Sequence, residues 1–459
     1  MEAAELSGRF ALQSFQFQQK GPLPVPERLR RLRLLEKAVE SHIDGIAAAL
    51  RADLGKSPAE SYETETGIVL SELRFSLRRL RRWAKPKTVR TPLPLQPGRS
   101  QVLRDAHGVC LILSPWNYPF QLALVPLIGA ICGGNRAIVR PSSQAPATAA
   151  LLKTLLSVFP EEEISVVLGG RESGEALLSL PFDFIFFTGS PQVGKTVMAH
   201  AAQHLTPVVL ELGGKSPVIV TKRADFALTA RRLLFGKGMN AGQTCVAPDY
   251  VLCEKEALPA LTAALQKELS AFFGGDALSH PDWPRIVNRR HFDRLAALMD
   301  ASEASLLFGG NREEESLRIE PSVYLADGAS PLMQEELFGP LLPIVPVETL
   351  EEAIAFVASR PRPLALYLFS NDRSEQRRVL SGLRFGGACV NDTLMHLASP
   401  HLPFGGTGQS GMGSYHGKTS FEAFTRPKSV LTRFGSIDPA LRRLPATERS
   451  FSLLKKFLR

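Results

Sequence analysis

The strongest constraint on this chain of 459 residues is a change of rhythm at about residue 101. Beyond it, short apolar runs alternate with segments of helical periodicity. VCLIL (109–113), AIVR (137–140), SVVLG (165–169), FDFIFF (182–187) and PVVLEL (207–212) read as strands, with helices at 121–132, 145–158 and 192–204. Such runs are too short for buried helices and suit strands covered on both faces. Strand and helix in alternation predict a parallel sheet with helices on both sides. The pattern resumes in PVIVT (217–221), helix 224–239, DYVLCE (249–254), helices 256–273 and 289–300, and a strand near Val323. It continues through LPIVPV (342–347), helix 349–358, LALYLFS (364–370), helix 374–381 and GACVND (387–392). The expected fold is α/β, with two doubly wound lobes joined near residue 212.

The flanks differ. Residues 27–85 read as helices, with Leu29, Leu32, Leu35, Val39, Ile43 and Ile46 at helical spacing, then Ile68, Leu70, Leu73, Leu77 and Leu80. Residues 86–99 carry four prolines and read as a linker or extended arm. RPKSVLTRF (426–434) looks like an exposed pairing element of the kind a partner covers. The tail RSFSLLKKFLR (449–459) places Phe451, Leu454 and Leu458 on one helical face, and docking on the body is expected in preference to a membrane.

The net charge is +9. Residues 1–90 hold 17 Lys/Arg against 11 Asp/Glu, and residues 433–459 hold 7 against 2, so the middle of the chain is near neutral. No groove-reading or base-stacking motif accompanies the basic stretches at 28–33 and 74–87, so no nucleic-acid partner is expected. Five cysteines with no C-x-x-C pair form neither a disulfide framework nor a zinc-finger pattern, and they point to a reducing, cytoplasmic setting. The opening MEAAELSGRFALQ is mixed and acidic early, so no signal peptide is expected in it. Pro115, Pro119 and Pro126 interrupt the most apolar stretch, so no firm membrane anchor is expected.

Five short strings carry candidate chemistry. GSPQVGKT (189–196) follows an apolar strand and fits the phosphate-loop pattern, whose backbone N–H groups also suit a dinucleotide pyrophosphate. GTGQSG (406–411) matches G-x-G-x-x-G, but it follows no strand and reads as a tight loop. Cys245 lies in NAGQTCVAPDY, among small and polar neighbours that would leave a thiol partly exposed and tuned toward thiolate. Glu211 ends an apolar strand before Gly213 and Gly214, at the mouth where α/β sheets bind ligands. Asn117, in SPWNYPF, could aim its amide at a developing oxyanion. Alone, each has a simpler reading: a core thiol, a solvated carboxylate, a turn.

Together, SPWNYP, FTGSPQVGK, LELGGKSP, NAGQTC, QEELFGP and LPFGG stand in the order and spacing of the aldehyde dehydrogenase superfamily, which this chain resembles from about residue 10 to 435. GQTCVAPDY and PLALYLFS are most similar to the class 3 branch, in its soluble bacterial members. The resemblance implies oxidation of aldehydes to carboxylic acids with NAD or NADP, without a metal. It places the nucleophile on Cys245, the general base on Glu211 and the oxyanion-holding amide on Asn117. Cofactor positions then fall on Ser114, Pro115, Trp116, Asn117, Arg140, Ser143, Gly189, Ser190, Val193, Gly194, Leu212, Gly213, Glu336 and Phe338. Substrate positions fall on Tyr62, Trp116, Tyr118 and Phe404. The apolar and aromatic cast of these positions favours medium or long aliphatic, or aromatic, aldehydes. The resemblance also implies a homodimer, a cofactor-binding domain over 1–211, a catalytic domain over 212–395, and a C-terminal return segment, pairing strand and tail over 396–459, with 86–99 in an oligomerisation arm.

The chain departs from the family at RPSSQ (140–144), where Arg140 stands for the usual lysine and Ser143 for the usual glutamate. A serine does not repel the extra phosphate of NADP as a carboxylate does, so dual cofactor use is expected. Two rival readings remain: a phosphate-loop NTPase using Lys195 and Thr196, and a non-catalytic protein on the same scaffold.

Overall fold

A computed structural model describes residues 3–435, 444–445 and 447–457. The alternation becomes two sheets. The first takes the order Gly411–Met412, Val208–Leu212, Phe184–Gly189, Val109–Leu113, Arg136–Arg140 and Ile164–Val166. The five strands between 109 and 212 are parallel, and Gly411–Met412 adds antiparallel to Val208–Leu212. The winding reverses between Val109–Leu113 and Phe184–Gly189, which opens a crevice at their C-terminal ends. The second sheet runs Leu306–Phe308, Ser322–Leu325, Leu341–Val347, Tyr250–Glu254, Pro217–Val220, Ala365–Phe369 and Gly387–Val390, and only Leu306–Phe308 pairs antiparallel. The chain passes from one sheet to the other through residues 213–216.

Helices cover both sheets at the expected places, including Gln121–Gly133, Pro191–His204, Phe226–Gly238 and Arg289–Asp300. Ahead of them, Val25–Glu40, Ile43–Leu54 and Gly67–Trp83 form a helical layer whose Leu29, Leu32, Leu35, Val39 and Ile46 are buried. Strand Val109–Leu113 is buried along its whole length, as a run without alternation demands. Among the described residues no helix is long and apolar enough to cross a membrane. The basic N-terminal helices spend charge internally: Arg31 pairs with Glu163 at 2.6 Å, and Arg74 with Glu36 and Glu40 at 3.0 and 2.7 Å.

The edges differ from the sequence reading. Residues 86–99 are not a simple linker. They open a three-stranded antiparallel sheet, Lys87–Val89 with Gly98–Ala106 and Thr425–Arg433, in register from Thr425↔Ala106 to Arg433↔Gly98. Its strands bury little, so periodicity carried no sign of the central one. Helix Ala3–Lys20 also escaped, because its inward face presents Gln13, which is fully buried and donates to the carbonyls of Ala137 and Glu161. In the tail helix Glu448–Phe457, Phe451 is 56% exposed, so the docking expected of that side chain is not seen. Leu458 lies outside the described residues.

Candidate active site

The first sheet delivers its side chains from the C-terminal ends of strands. Val109–Leu113 runs into Ser114–Asn117, Phe184–Gly189 into Ser190, and Val208–Leu212 carries Glu211 in its last turn of pleat. Asn117 is buried, and its side-chain Nδ2 donates to the Gln243 carbonyl at 3.1 Å. One N–H of that amide is thus committed, and the other remains for a ligand. Glu211 is 2% exposed, and neither carboxylate oxygen has a hydrogen-bond partner. Burial alone holds its carboxyl well above the usual range. The reading of a solvated strand end is therefore excluded.

The second sheet supplies the thiol. Helix Phe226–Gly238 ends at residues whose backbone is held left-handed, Asn240 at φ 52° and Ala241 at φ 49°. The chain then turns through Gln243 and Thr244 to Cys245, ahead of strand Tyr250–Glu254. Gln243 locks this turn: its Nε2 donates to the carbonyls of Asn240 and Arg285, and its Oε1 accepts the N–H of Val287. Cys245 is half-buried and lines a cavity. The expected tuning toward thiolate is not found. Burial pushes the thiol up to about 12, the carboxylates of Glu336 and then Glu211 push the same way, and the N–H groups of Cys245 and Val246 oppose them.

Glu336 stands on the loop before strand Leu341–Val347, in a segment where Phe338 is also left-handed at φ 48°. Burial raises its carboxyl to about 8, with Asp249 adding to the rise and the Gly214 N–H, Lys215 and Arg294 working against it. A Cβ on Gly213 would fall 2.2 Å from Glu336 Oε2, so a larger residue there would displace the Glu336 carboxyl. Cys245, Glu211, Asn117 and Glu336 all line one cavity of about 540 Å³, together with Pro115, Trp116, Gly189, Ser190, Leu212, Gly213 and Phe338.

Residues 10–430 match the aldehyde dehydrogenase family. The chain belongs to that family. It is 46% identical over 434 residues to a 4,4'-diaponeurosporen-aldehyde dehydrogenase of Staphylococcus aureus (strain NCTC 8325 / PS 47), covering 94% of each chain. It is 42% identical to the "Aldehyde dehydrogenase, dimeric NADP-preferring" of Mus musculus, covering 89% of this chain and 90% of that one. The solved structure titled "Substrate bound state of Staphylococcus Aureus AldH" superposes with a TM-score of 0.97 at 44% identity, over 99% of both chains. The protein is an aldehyde dehydrogenase that oxidises aldehydes to acids with NAD or NADP.

As an aldehyde dehydrogenase, its cavity fits a nicotinamide dinucleotide. Thr188 Oγ1 and Glu336 Oε1 are buried without partners, and the helix Pro191–His204 opens at Gly189 and Ser190 with the Ser190 side chain as N-cap. The phosphate-loop pattern itself is not used in the NTPase manner: Lys195 and Thr196 are exposed on that helix, and Thr196 donates to the Gln192 carbonyl. GTGQSG packs as a tight loop against Glu211, Gly411 pairing with it in the sheet.

Several expected positions lie off the cavity. Val193 is exposed, and Gly194 is buried where a Cβ would meet Leu212 at 2.6 Å. Ser114 is buried beside strand Arg136–Arg140, its N–H donating to the Arg140 carbonyl. The Arg140 guanidinium donates to the carbonyls of Gly169 and Gly170 at 3.1 and 2.5 Å, and Ser143 is exposed beyond it. Of the substrate positions only Trp116 lines this cavity. Tyr118 is buried with its hydroxyl 2.6 Å from Thr244 Oγ1, Phe404 stacks on His416 at 5.3 Å, and Tyr62 is 47% exposed.

Sequence reasoning missed the basic side of the cavity, Arg290, His291 and Arg294 on helix Arg289–Asp300. His291 packs on Trp116 at 5.2 Å, and Trp116 meets Phe338 edge-on at 5.3 Å. Only the helix was visible in sequence; nothing local said which of its basic residues turns inward.

Proposed function

We propose that Cys245 attacks the aldehyde carbon, Asn117 and the Cys245 N–H hold the oxygen, and Glu211 serves as base. The observation that carries this is the convergence of the three side chains on one cavity, with both Glu211 oxygens free of any partner. The thiol starts neutral, so its proton must leave as the C–S bond forms. Glu211 accepts it. Each group's charge disfavours the other's, so passing one proton from sulfur to carboxylate keeps a single negative charge in the buried site. The carbonyl π pair moves to oxygen, and the free N–H of Asn117 meets it. Such a donor contributes about 3–4 kcal/mol elsewhere. Bound NAD(P) supplies the acceptor for the hydride that leaves the former aldehyde carbon. Glu211 releases that first proton to solvent before the second half-reaction. The thioester on Cys245 is then cleaved by water, whose proton Glu211 takes, and the sulfur departs with its electron pair and recovers a proton from Glu211.

The cofactor is held by Pro115, Trp116, Gly189, Ser190, Leu212, Gly213, Glu336 and Phe338 at the cavity, with Ser114, Arg140, Ser143, Val193 and Gly194 behind it. Residues 1–211 form the cofactor-binding domain, 212–395 the catalytic domain and 396–459 the return segment, pairing strand and tail. The substrate is a medium or long aliphatic, or an aromatic, aldehyde. Trp116 and Phe338 on the cavity wall support this, as does the 4,4'-diaponeurosporen-aldehyde in the name of the Staphylococcus aureus relative. A cytoplasmic homodimer is supported by five free cysteines, by the little-buried three-stranded sheet, and by the mouse relative's description as dimeric. Acid quenching during turnover, followed by peptide mass spectrometry, tests the chemistry: an acyl mass on the peptide holding Cys245 is expected, and an acyl mass only elsewhere would overturn it.

A further inference from the structure

Behind the wall that carries Asn117, two charged side chains have left water altogether. Lys56 and Glu65 are 0% exposed, with Nζ 2.7 Å from Glu65 Oε1. Desolvating both charges costs more than their attraction alone restores, so a pair this deep needs further partners. It has them, and all lead to one segment. Lys56 Nζ donates to the main-chain carbonyl of Asn117 at 3.1 Å and stands 3.9 Å from the ring centre of Tyr118. Glu65 Oε2 accepts the N–H groups of Phe120 and Gln121 at 3.0 and 2.9 Å, the opening of helix Gln121–Gly133. Residues 117–121 are thus gripped at both ends by a single ion pair. Glu65 reaches them from a π-helical turn, Tyr62–Thr66, a local widening that often marks functional sites.

The same segment is tied to the thiol loop. Asn240 Nδ2 donates to the Asn117 carbonyl at 2.8 Å, the Asn240 N–H donates to the Glu60 carboxylate at 2.6 Å, and the Tyr118 hydroxyl meets Thr244. Neither Lys56 nor Glu65 lines the cavity.

We propose that Lys56 and Glu65 are positioning residues for the oxyanion site: they fix the Asn117 peptide, and through it the direction of the amide N–H. This rests on Asn117 being the oxyanion donor. A misplacement of about 1 Å in such a group costs on the order of 10²-fold in rate. The ion pair therefore acts on the reaction at carbonyl carbon and not on the reactivity of the sulfur itself.

The test compares two reactions of the same thiol in the full-length enzyme. Aldehyde oxidation needs the oxyanion site; alkylation of Cys245 by iodoacetamide, a displacement at saturated carbon, does not. In Lys56→Met combined with Glu65→Gln, kcat should fall by about 10- to 100-fold, with alkylation within about twofold of wild type. In an Asn117→Ala background the same pair of changes should cost less than about threefold, because its route of action is gone. Loss of alkylation in parallel with kcat, or the same loss with and without Asn117, overturns the proposal. Lys56→Arg guards against misfolding, since it keeps the charge but cannot present one compact ammonium to both Glu65 and the Asn117 carbonyl. It should lower kcat with alkylation intact; unchanged kcat in that variant also overturns the proposal. Asn117→Ala alone distinguishes the two levels. If it keeps wild-type kcat, the oxyanion assignment fails; if it loses activity while the Lys56 variants do not, only the present proposal fails.

Discussion

The two sheets meet the cavity with opposite ends. The first offers the C-terminal ends of Val109–Leu113, Phe184–Gly189 and Val208–Leu212, where open α/β sheets bind ligands. The second offers loops that precede strands: Cys245 comes before Tyr250–Glu254, and Glu336 before Leu341–Val347. Their backbones differ in the same way. The second sheet's loops hold Asn240, Ala241 and Phe338 left-handed, whereas no non-glycine residue of the first sheet's contribution to the cavity does so. A strand end aims a side chain through regular geometry; a loop in the reverse position must be bent and pinned to do it. In the proposed mechanism the regular ends supply Asn117, Glu211 and most of the dinucleotide contacts, and the bent loops supply the Cys245 thiol and Glu336.

The largest test of that division is Cys245→Ala. Turnover should fall by at least about 10⁴-fold, as loss of a nucleophile does elsewhere, while NADH fluorescence still reports cofactor binding. Retained turnover would falsify the assignment; lost cofactor binding would show that the two ends do not work separately. Glu211→Gln comes next. The amide cannot take a proton from water, so deacylation should slow by about 10²- to 10³-fold. Burial raises the Glu211 carboxyl, so in the wild type the base gains its charge, and kcat its value, as pH rises. That rise should vanish in the variant; a surviving pH limb of the same shape would assign the base elsewhere.

Glu336→Gln probes the strained side more gently. The change should raise KM for the cofactor by roughly tenfold, by loss of one charged hydrogen bond of about 1.5–3 kcal/mol. Its effect on Cys245 has the opposite sign. Glu336 titrates at about 8 and, once charged, raises the thiol. Removing it should leave alkylation at pH 6 unchanged and accelerate it several-fold at pH 9, where the native carboxylate carries its charge. Unchanged alkylation at pH 9 would place Glu336 out of reach of the sulfur, and slower alkylation would reverse the sign of its effect.

The same contrast explains what was legible. Glu211 and Asn117 follow apolar strands in a chain that alternates strand and helix, so ligand-site position could be argued from pattern alone. Cys245 and Glu336 could not: only the strings NAGQTC and QEELFGP marked them, since a loop before a strand has no periodic signature. Phe404 and Tyr118 were named by the same route, and the structure buries both away from this cavity. Small neighbours in sequence suggested exposure of the thiol, whereas burial raises it, and two carboxylates distant in sequence, Glu336 and Glu211, add to the rise. The three-stranded sheet was half seen, because its partners lie more than 300 residues apart in sequence, in register from Thr425↔Ala106 to Arg433↔Gly98.

The smallest expected effect lies on the regular side, at Ser143. Arg136–Arg140 neighbours Val109–Leu113 in the first sheet, Leu113 opposite Arg140, which is why the proposed function places this strand end behind the nucleotide. The structure narrows the earlier expectation for Arg140. Its guanidinium is partly buried and spends one nitrogen on the Gly169 and Gly170 carbonyls, which fixes the loop after Ile164–Val166 and leaves a smaller part of the fork for a phosphate. Ser143 is exposed and carries no charge, so tolerance of the extra phosphate of NADP rests mainly on the absence of an acid there. Ser143→Glu should then lower kcat/KM with NADP by about fivefold to tenfold, roughly 1–1.4 kcal/mol, and leave the value with NAD within about twofold. Because the site is exposed, raising the salt should shrink that ratio. A wild type already selective for NAD, or a variant whose cofactor ratio does not move, would show that discrimination is made by backbone deeper in the crevice.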